Sequence, residues 1–186
     1  MHGIINIPNS LTIFRILLIP PFLYFIRGGT FLPALVILFV ASFTDLFDGV
    51  MARRLNQQTS FGRILDPLAD KLLTTCTFLA MAFPQPGIPS IPKWLAISVV
   101  TRDVIILAGA GALYLRSGYT GFKPLTAGRI NTGFEMGFIL FFLAINITQI
   151  GMRIIPALAV MVLTTVIISG ISYVILGIRL WGQRSE

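Results

Sequence analysis

Seven residues of this 186-residue chain are acidic, and four of them, Asp45, Asp48, Asp66 and Asp70, are crowded between positions 45 and 70. Their spacing follows helical period. Asp45, Asp48, Gly49 and Ala52 stand at i, i+3, i+4 and i+7, one face of a helix, and Asp66 and Asp70 at i, i+4 share a face of the next. The short link Arg53–Arg63 makes the two helices antiparallel neighbours, so their acidic faces can meet. Four ionised carboxylates at one point repel strongly, and hard divalent cations with oxygen ligands remove that cost. Magnesium suits a site that also receives a phosphate, because it keeps coordination positions open for phosphate oxygens. Two ions sharing carboxylates could clamp the attacking and leaving oxygens of a phosphoryl displacement. Gly49 and Ala52 let a bulky ligand approach the backbone, and the planar fork of Arg53 matches a phosphate. Plain helix-end pairing with Arg53, Arg54, Arg63 and Lys71 is the bland alternative. Two acid pairs on adjacent helices with small residues between them weigh against it.

The elements that must position these acids are membrane helices. The hydrophobic fraction is 55% and the charged fraction 11%, against about 25% charged in a soluble domain. Six stretches approach the roughly 20 apolar residues that a span needs, at 10–27, 31–52, 64–83, 93–115, 132–150 and 154–181. The expected fold is therefore an all-α integral membrane protein of six transmembrane helices, one domain over 1–186. Ile4–Ser10 reads as a short interfacial N-terminal segment, with Pro8 and Asn9-Ser10 as helix-start signals. Pro20-Pro21 is a kink in the first span, and the prolines from 84 to 92 mark the link between spans three and four. Six spans put both termini on one side. That side receives ten of the basic residues, among them Arg53, Arg54, Arg63, Lys123 and Arg129, and the other receives Arg27, Lys93 and Arg153. By the positive-inside rule both termini and the acidic cluster face the cytoplasm. The net charge of +7 is then explained by anionic headgroups, not by nucleic acid. The lone Cys76 can form no intrachain disulfide and reads as packing. No basic stretch precedes the first apolar run, so a cleaved signal peptide is not expected.

The run Asp45-Leu46-Phe47-Asp48-Gly49-Val50-Met51-Ala52-Arg53, followed after eight residues by Gly62-Arg63-Ile64-Leu65-Asp66-Pro67-Leu68-Ala69-Asp70, fills every fixed position of D-x-x-D-G-x-x-A-R-x8-G-x-x-x-D-x-x-x-D. That pattern is the signature of the CDP-alcohol phosphotransferases, which this chain resembles. Asn6-Ile7-Pro8-Asn9-Ser10-Leu11-Thr12 with Arg15 is similar to the family's N-terminal segment, and the likeness weakens after about residue 140. The resemblance implies that Asp45, Asp48, Asp66 and Asp70 hold two divalent ions, magnesium or manganese. It implies that Asp70 is also the general base on an acceptor hydroxyl, and that Asp45, Asp48, Gly49, Ala52, Arg53 and Gly62 form the cytidine diphosphate site. The donor would be CDP-diacylglycerol, the leaving group CMP, the setting the inner cytoplasmic membrane and the assembly a homodimer.

The acceptor is less sharply written. Lys123-Pro124-Leu125-Thr126-Ala127-Gly128-Arg129-Ile130-Asn131-Thr132 resembles the family's second basic region. Arg116, Lys123 and Arg129 could form a pocket for an anionic acceptor such as glycerol 3-phosphate, the lead reading. Arg102-Asp103 stands where members using that acceptor usually carry Arg-Glu, and Leu107-Ala108-Gly109-Ala110 replaces a further Arg-Glu pair. Both departures favour the alternative, a cardiolipin synthase taking phosphatidylglycerol; serine and inositol phosphate acceptors are further family options. Adjacent side chains diverge on a helix, so Arg102 and Asp103 are expected to pair with different partners. Glu135 stands where many members have glutamine and receives no role. An ion or metal transporter would also use intramembrane acids, but its site would lie near the midplane between repeated halves. No repeat is visible here.

Overall fold

The computed structural model describes the backbone of residues 7–54, 62–83, 89–117 and 125–182, and the side chains within them except those at 7–9, 11, 45–54, 62–68, 70, 114 and 117. Those residues form six long helices, α1 (Ile7–Arg27), α2 (Phe31–Arg54), α3 (Gly62–Ala82), α4 (Lys93–Ser117), α5 (Thr126–Thr148) and α6 (Ile155–Gly182), with a 3₁₀ turn at Met152–Ile154. Among the described residues there is no strand. Among the described residues, three stretches are long and apolar enough to cross a membrane: Lys93–Leu113, Thr126–Thr148 and Met152–Gly182.

The helices lie within a few residues of the expected spans, with two instructive differences. Ile7–Ser10 is not a separate interfacial lead-in but the first turn of α1. Pro8 is tolerated there because a first-turn N–H has no helical partner to lose; residues 1–6 of that expected segment lie outside the described residues. In addition, α5 begins at Thr126, six positions earlier than the apolar run suggests.

The chain divides into two compact units, 1–90 with 142–150, and 91–141 with 151–186. In the first, α1 packs against both α2 and α3. Its buried stripe is Thr12, Arg15, Ile19, Phe22 and Ile26, a spacing of three and four that keeps one helix face inward. The matching stripe on α2 is Phe31, Ala34, Leu38 and Ala41. A tight reversal joins α1 to α2. The Thr30 amide donates to the Phe25 carbonyl and the Gly29 amide to that of Ile26, a Schellman closure whose left-handed residue is Gly29 at φ 70°. Phe31 then meets Phe142 edge-on, their ring centres 6.2 Å apart.

In the second unit α4 packs against α6. Contacts along the helices fix their directions. Arg102 meets Ser169 and Arg116 meets Trp181, so α4 and α6 run parallel. Thr165 meets Asn131 and Tyr173 meets Leu125, so α5 runs the other way. That is the alternation expected of successive membrane crossings. The surface is apolar where a soluble protein's would be polar: Leu115, Ile97, Ile178, Phe39 and Leu17 are all exposed, while Arg102, Asp103, Asn131, Glu135 and Ser169 are buried. Lipid contact accounts for the first set and interior pairing for the second.

Candidate active site

Asp45 and Asp48 stand on α2, and Asp66 and Asp70 on α3. Both helical runs are continuous through the acids, so the i, i+3 and i, i+4 spacings do place each pair on one helix face. α1 packs against both helices and thereby holds them in one bundle. Gly49, Ala52 and Arg53 lie on the last turns of α2, and Gly62 opens α3. The side chains of Asp45, Asp48, Asp66, Asp70, Ala52 and Arg53 lie outside the described residues. Among the described residues no group of acids, histidines and cysteines is placed to hold a metal ion.

On α1, which packs against both helices, the structure adds two polar residues to what the spacing offers. Thr12 and Arg15 are buried on α1, with Arg15 only 1% exposed. Composition alone makes Arg15 one more cytoplasmic surface charge. Its place on the stripe Thr12–Arg15–Ile19 is the signal that it faces inward, and a guanidinium so buried needs acceptors around it.

The acceptor-side candidates are more dispersed. Arg129 is exposed on the first turns of α5. Arg116 is exposed near the end of α4 with its guanidinium carbon 4.2 Å from the centre of the Trp181 ring, so part of its charge is already engaged in a cation–π contact. Lys123 lies outside the described residues.

A polar stripe on α6, which the sequence reading missed, organises the second unit. Thr165, Ser169 and Tyr173 are spaced four apart and so share a face. The Thr165 hydroxyl donates to Asn131 Oδ1 at 3.0 Å, and Asn131 Nδ2 donates to Glu135 Oε1 at 2.6 Å. Ser169 Oγ accepts from Arg102 Nη2 at 2.5 Å. Tyr173 Oη accepts from the Leu125 amide at 3.2 Å. Arg102 also pairs with Asp103 at 2.7 Å, which corrects the expectation that these two charges pair apart. Their Cβ atoms do diverge, but the long arginine stem lets the guanidinium turn back to its neighbour in a place where no water competes.

The same unit carries an apolar groove of about 440 Å³, floored by Gly133 and Gly137 and walled by Phe134, Phe141, Leu158 and Met161. Its lining holds no group that could move a proton or bind a phosphate.

Comparison with known proteins identifies the family. A family model described as CDP-alcohol phosphatidyltransferase matches residues 5–171; this is a family of metal-dependent transferases. A CDP-diacylglycerol–glycerol-3-phosphate 3-phosphatidyltransferase of Aquifex aeolicus is 29% identical over 177 residues, 94% of this chain and 97% of the relative. The protein of the same name from Escherichia coli K12 is 44% identical over 109 residues, 55% of this chain and 57% of the relative. A probable cardiolipin synthase (CMP-forming) of Drosophila melanogaster is 44% identical over 111 residues, 59% of this chain and 33% of the relative. The chain thus matches the first of these nearly end to end and the other two over about half their length or less.

Proposed function

The chain belongs to the CDP-alcohol phosphatidyltransferase family, and from that premise we propose that it transfers the phosphatidyl group of CDP-diacylglycerol to glycerol 3-phosphate, releasing CMP. The observation that carries this reading is the complete aspartate signature on two continuous helices, α2 and α3, that pack on a common partner. The near full-length match to the Aquifex protein, whose name specifies that acceptor, supports it.

Asp45, Asp48, Asp66 and Asp70 form an all-carboxylate donor set that suits two hard divalent ions, magnesium or manganese. Bound there, such ions neutralise the diphosphate and stabilise the departing phosphate. Gly49, Ala52 and Gly62 leave room for the cytidine diphosphate, with Asp45 and Asp48 on the same site, and Arg53 pairs with its phosphates. Asp70 takes the proton of the acceptor hydroxyl as its oxygen attacks the phosphorus that bears the diacylglycerol. The bond from that phosphorus to CMP breaks, and CMP leaves with the electron pair. Arg116, Lys123 and Arg129 hold the acceptor's phosphate.

All six helices cross the inner membrane in this reading. The basic residues put both termini and the aspartates at the cytoplasmic face, where CMP and glycerol 3-phosphate are soluble while the donor's acyl chains stay in the bilayer. The whole chain, 1–186, works as one domain, as a homodimer. Phosphatidylglycerol is the second candidate acceptor. Asp103 and the Leu107–Ala110 run favour it, as does the likeness to the Drosophila cardiolipin synthase.

The test offers the purified chain CDP-diacylglycerol, magnesium or manganese, and separately glycerol 3-phosphate, phosphatidylglycerol, serine or inositol phosphate. CMP release with glycerol 3-phosphate alone is expected. Release with phosphatidylglycerol alone moves the assignment to the second reading. No release with any acceptor sinks the transferase.

A further inference from the structure

The start of α5 is built in a way its own sequence does not explain. The Arg129 amide bonds to the Leu125 carbonyl at 3.2 Å, which makes Leu125 the N-cap. Leucine is among the poorest N-caps, because it brings no side-chain acceptor. Three residues on, where a glutamate would reach back to the N-cap amide, stands Gly128. The acceptor that such a glutamate would supply arrives from another helix: Tyr173 Oη on α6 takes the Leu125 amide at 3.2 Å.

Gly128 is what admits it. A Cβ at that position would lie 2.7 Å from Tyr173 Oη and 2.9 Å from its ring, closer than real contacts allow. The ring is held in turn, with the Arg102 guanidinium 5.6 Å from its centre. That arginine is fixed by Asp103 and Ser169. A chain of contacts therefore runs from the interior of α4 through Tyr173 to the first amide of α5. The turn it fixes carries Arg129, and Lys123 lies two positions before Leu125 in sequence.

We infer that Tyr173 is a positioning residue for acceptor recognition: its hydroxyl and the cleft at Gly128 set the first turn of α5, and with it the placement of the Arg129 guanidinium. This rests on the proposed transferase reading and on Arg129 serving the acceptor. It assigns the tyrosine no contact with substrate. The device makes the acceptor site answer to the packing of α4 and α6 and not to α5 alone.

Tyr173→Phe keeps the ring and its contact with Arg102 and removes only the acceptor of the Leu125 amide. CMP release by the full chain in lipid nanodiscs is measured against acceptor and donor concentration. The expected result is an acceptor KM raised about three- to tenfold, the worth of one hydrogen bond, with donor KM and kcat within about twofold. Amide exchange at residues 126–129 is expected to speed up in the same variant. Gly128→Ala should act in the same direction. Because both changes open one latch, the double variant should fall well short of the product of the two effects. Thr165→Val, which cuts a different α5–α6 hydrogen bond, should leave acceptor KM unmoved. An acceptor KM unchanged in Tyr173→Phe, or raised equally by Thr165→Val, overturns the inference. A wild-type chain that releases no CMP overturns the transferase reading itself.

Discussion

Arg102 Nη1 stands 2.7 Å from Oδ1 of Asp103, its immediate neighbour on α4, and both side chains are buried. The same guanidinium reaches Ser169 on α6. The pair is therefore a neutralised unit inside the bundle that also joins two helices. Removing one member of a buried pair leaves the other charge uncompensated and costs about 3–5 kcal/mol. Arg102→Met should destabilise the chain on that scale, read by denaturant unfolding in a lipid mimetic. Arg102→Met with Asp103→Leu should recover most of the loss. A single variant that unfolds like the parent would show that the pair is solvated in the membrane.

Glu135 is fully buried on α5 and accepts from Asn131 Nδ2 at 2.6 Å, while Thr165 donates to the same asparagine. Towards Asn131, position 135 serves as an acceptor. Glu135→Gln keeps the amide oxygen as acceptor and should cost less than about 1 kcal/mol, with CMP release largely retained. Asn131→Leu removes both the donor to Glu135 and the acceptor for Thr165. Thr165 keeps its bond to the Val162 carbonyl at 2.9 Å, so the lost pairing should cost about 1 kcal/mol, the low end for a broken buried hydrogen bond. Loss of turnover in Glu135→Gln with stability intact would instead give the carboxylate a chemical role.

Asp70→Asn separates the two duties proposed for the last aspartate. An amide oxygen can still serve as a weak ligand but cannot take a proton. Turnover should fall by about two to four orders of magnitude, the usual share of a general base, while donor binding changes by less than about tenfold. Asp45→Asn should act the other way, raising the metal concentration needed for half-maximal rate more than it lowers the rate at saturation. Chelation of divalent ions should stop CMP release, and magnesium or manganese should restore it. Equal loss of donor binding and turnover in Asp70→Asn would remove Asp70 as the base.

The six helices were legible because the signals that make them are local. Apolar runs of span length and the prolines from 84 to 92 act within a few residues, and the helices end close to where those signals fall. The aspartate spacing was legible for the same reason, since α2 and α3 are continuous through it. What escaped notice is held by distant partners. Thr126 opens α5 because Tyr173, 48 residues beyond Leu125, takes the N-cap amide. Arg15 counts as a surface charge until its register with Thr12 and Ile19 is seen to face the interior. Arg102 pairs with its neighbour because a long side chain can defeat the divergence of adjacent Cβ atoms. Side-chain reach and tertiary partners, not propensity, decided these positions.

The two described acceptor-side arginines should not be equivalent. Arg129 stands exposed on the first turns of α5, near a helix N-terminus, where orphan amides and the helix dipole favour an anion. Arg116 lies over the Trp181 ring at 4.2 Å, where a cation–π contact contributes about 0.5–1 kcal/mol at an exposed site. Turning Arg116 towards a phosphate gives that contact up. Arg129→Ala should therefore raise the KM for glycerol 3-phosphate by roughly tenfold or more, as expected for loss of a charge-assisted hydrogen bond. Arg116→Ala should raise it by clearly less, while Trp181→Ala, which removes that one contact, should leave it unchanged or lower it slightly. The comparison needs only initial rates at varied glycerol 3-phosphate with CDP-diacylglycerol saturating. If Arg116→Ala proves the more damaging of the two, the acceptor phosphate sits at the end of α4 and the first turn of α5 loses its assigned part.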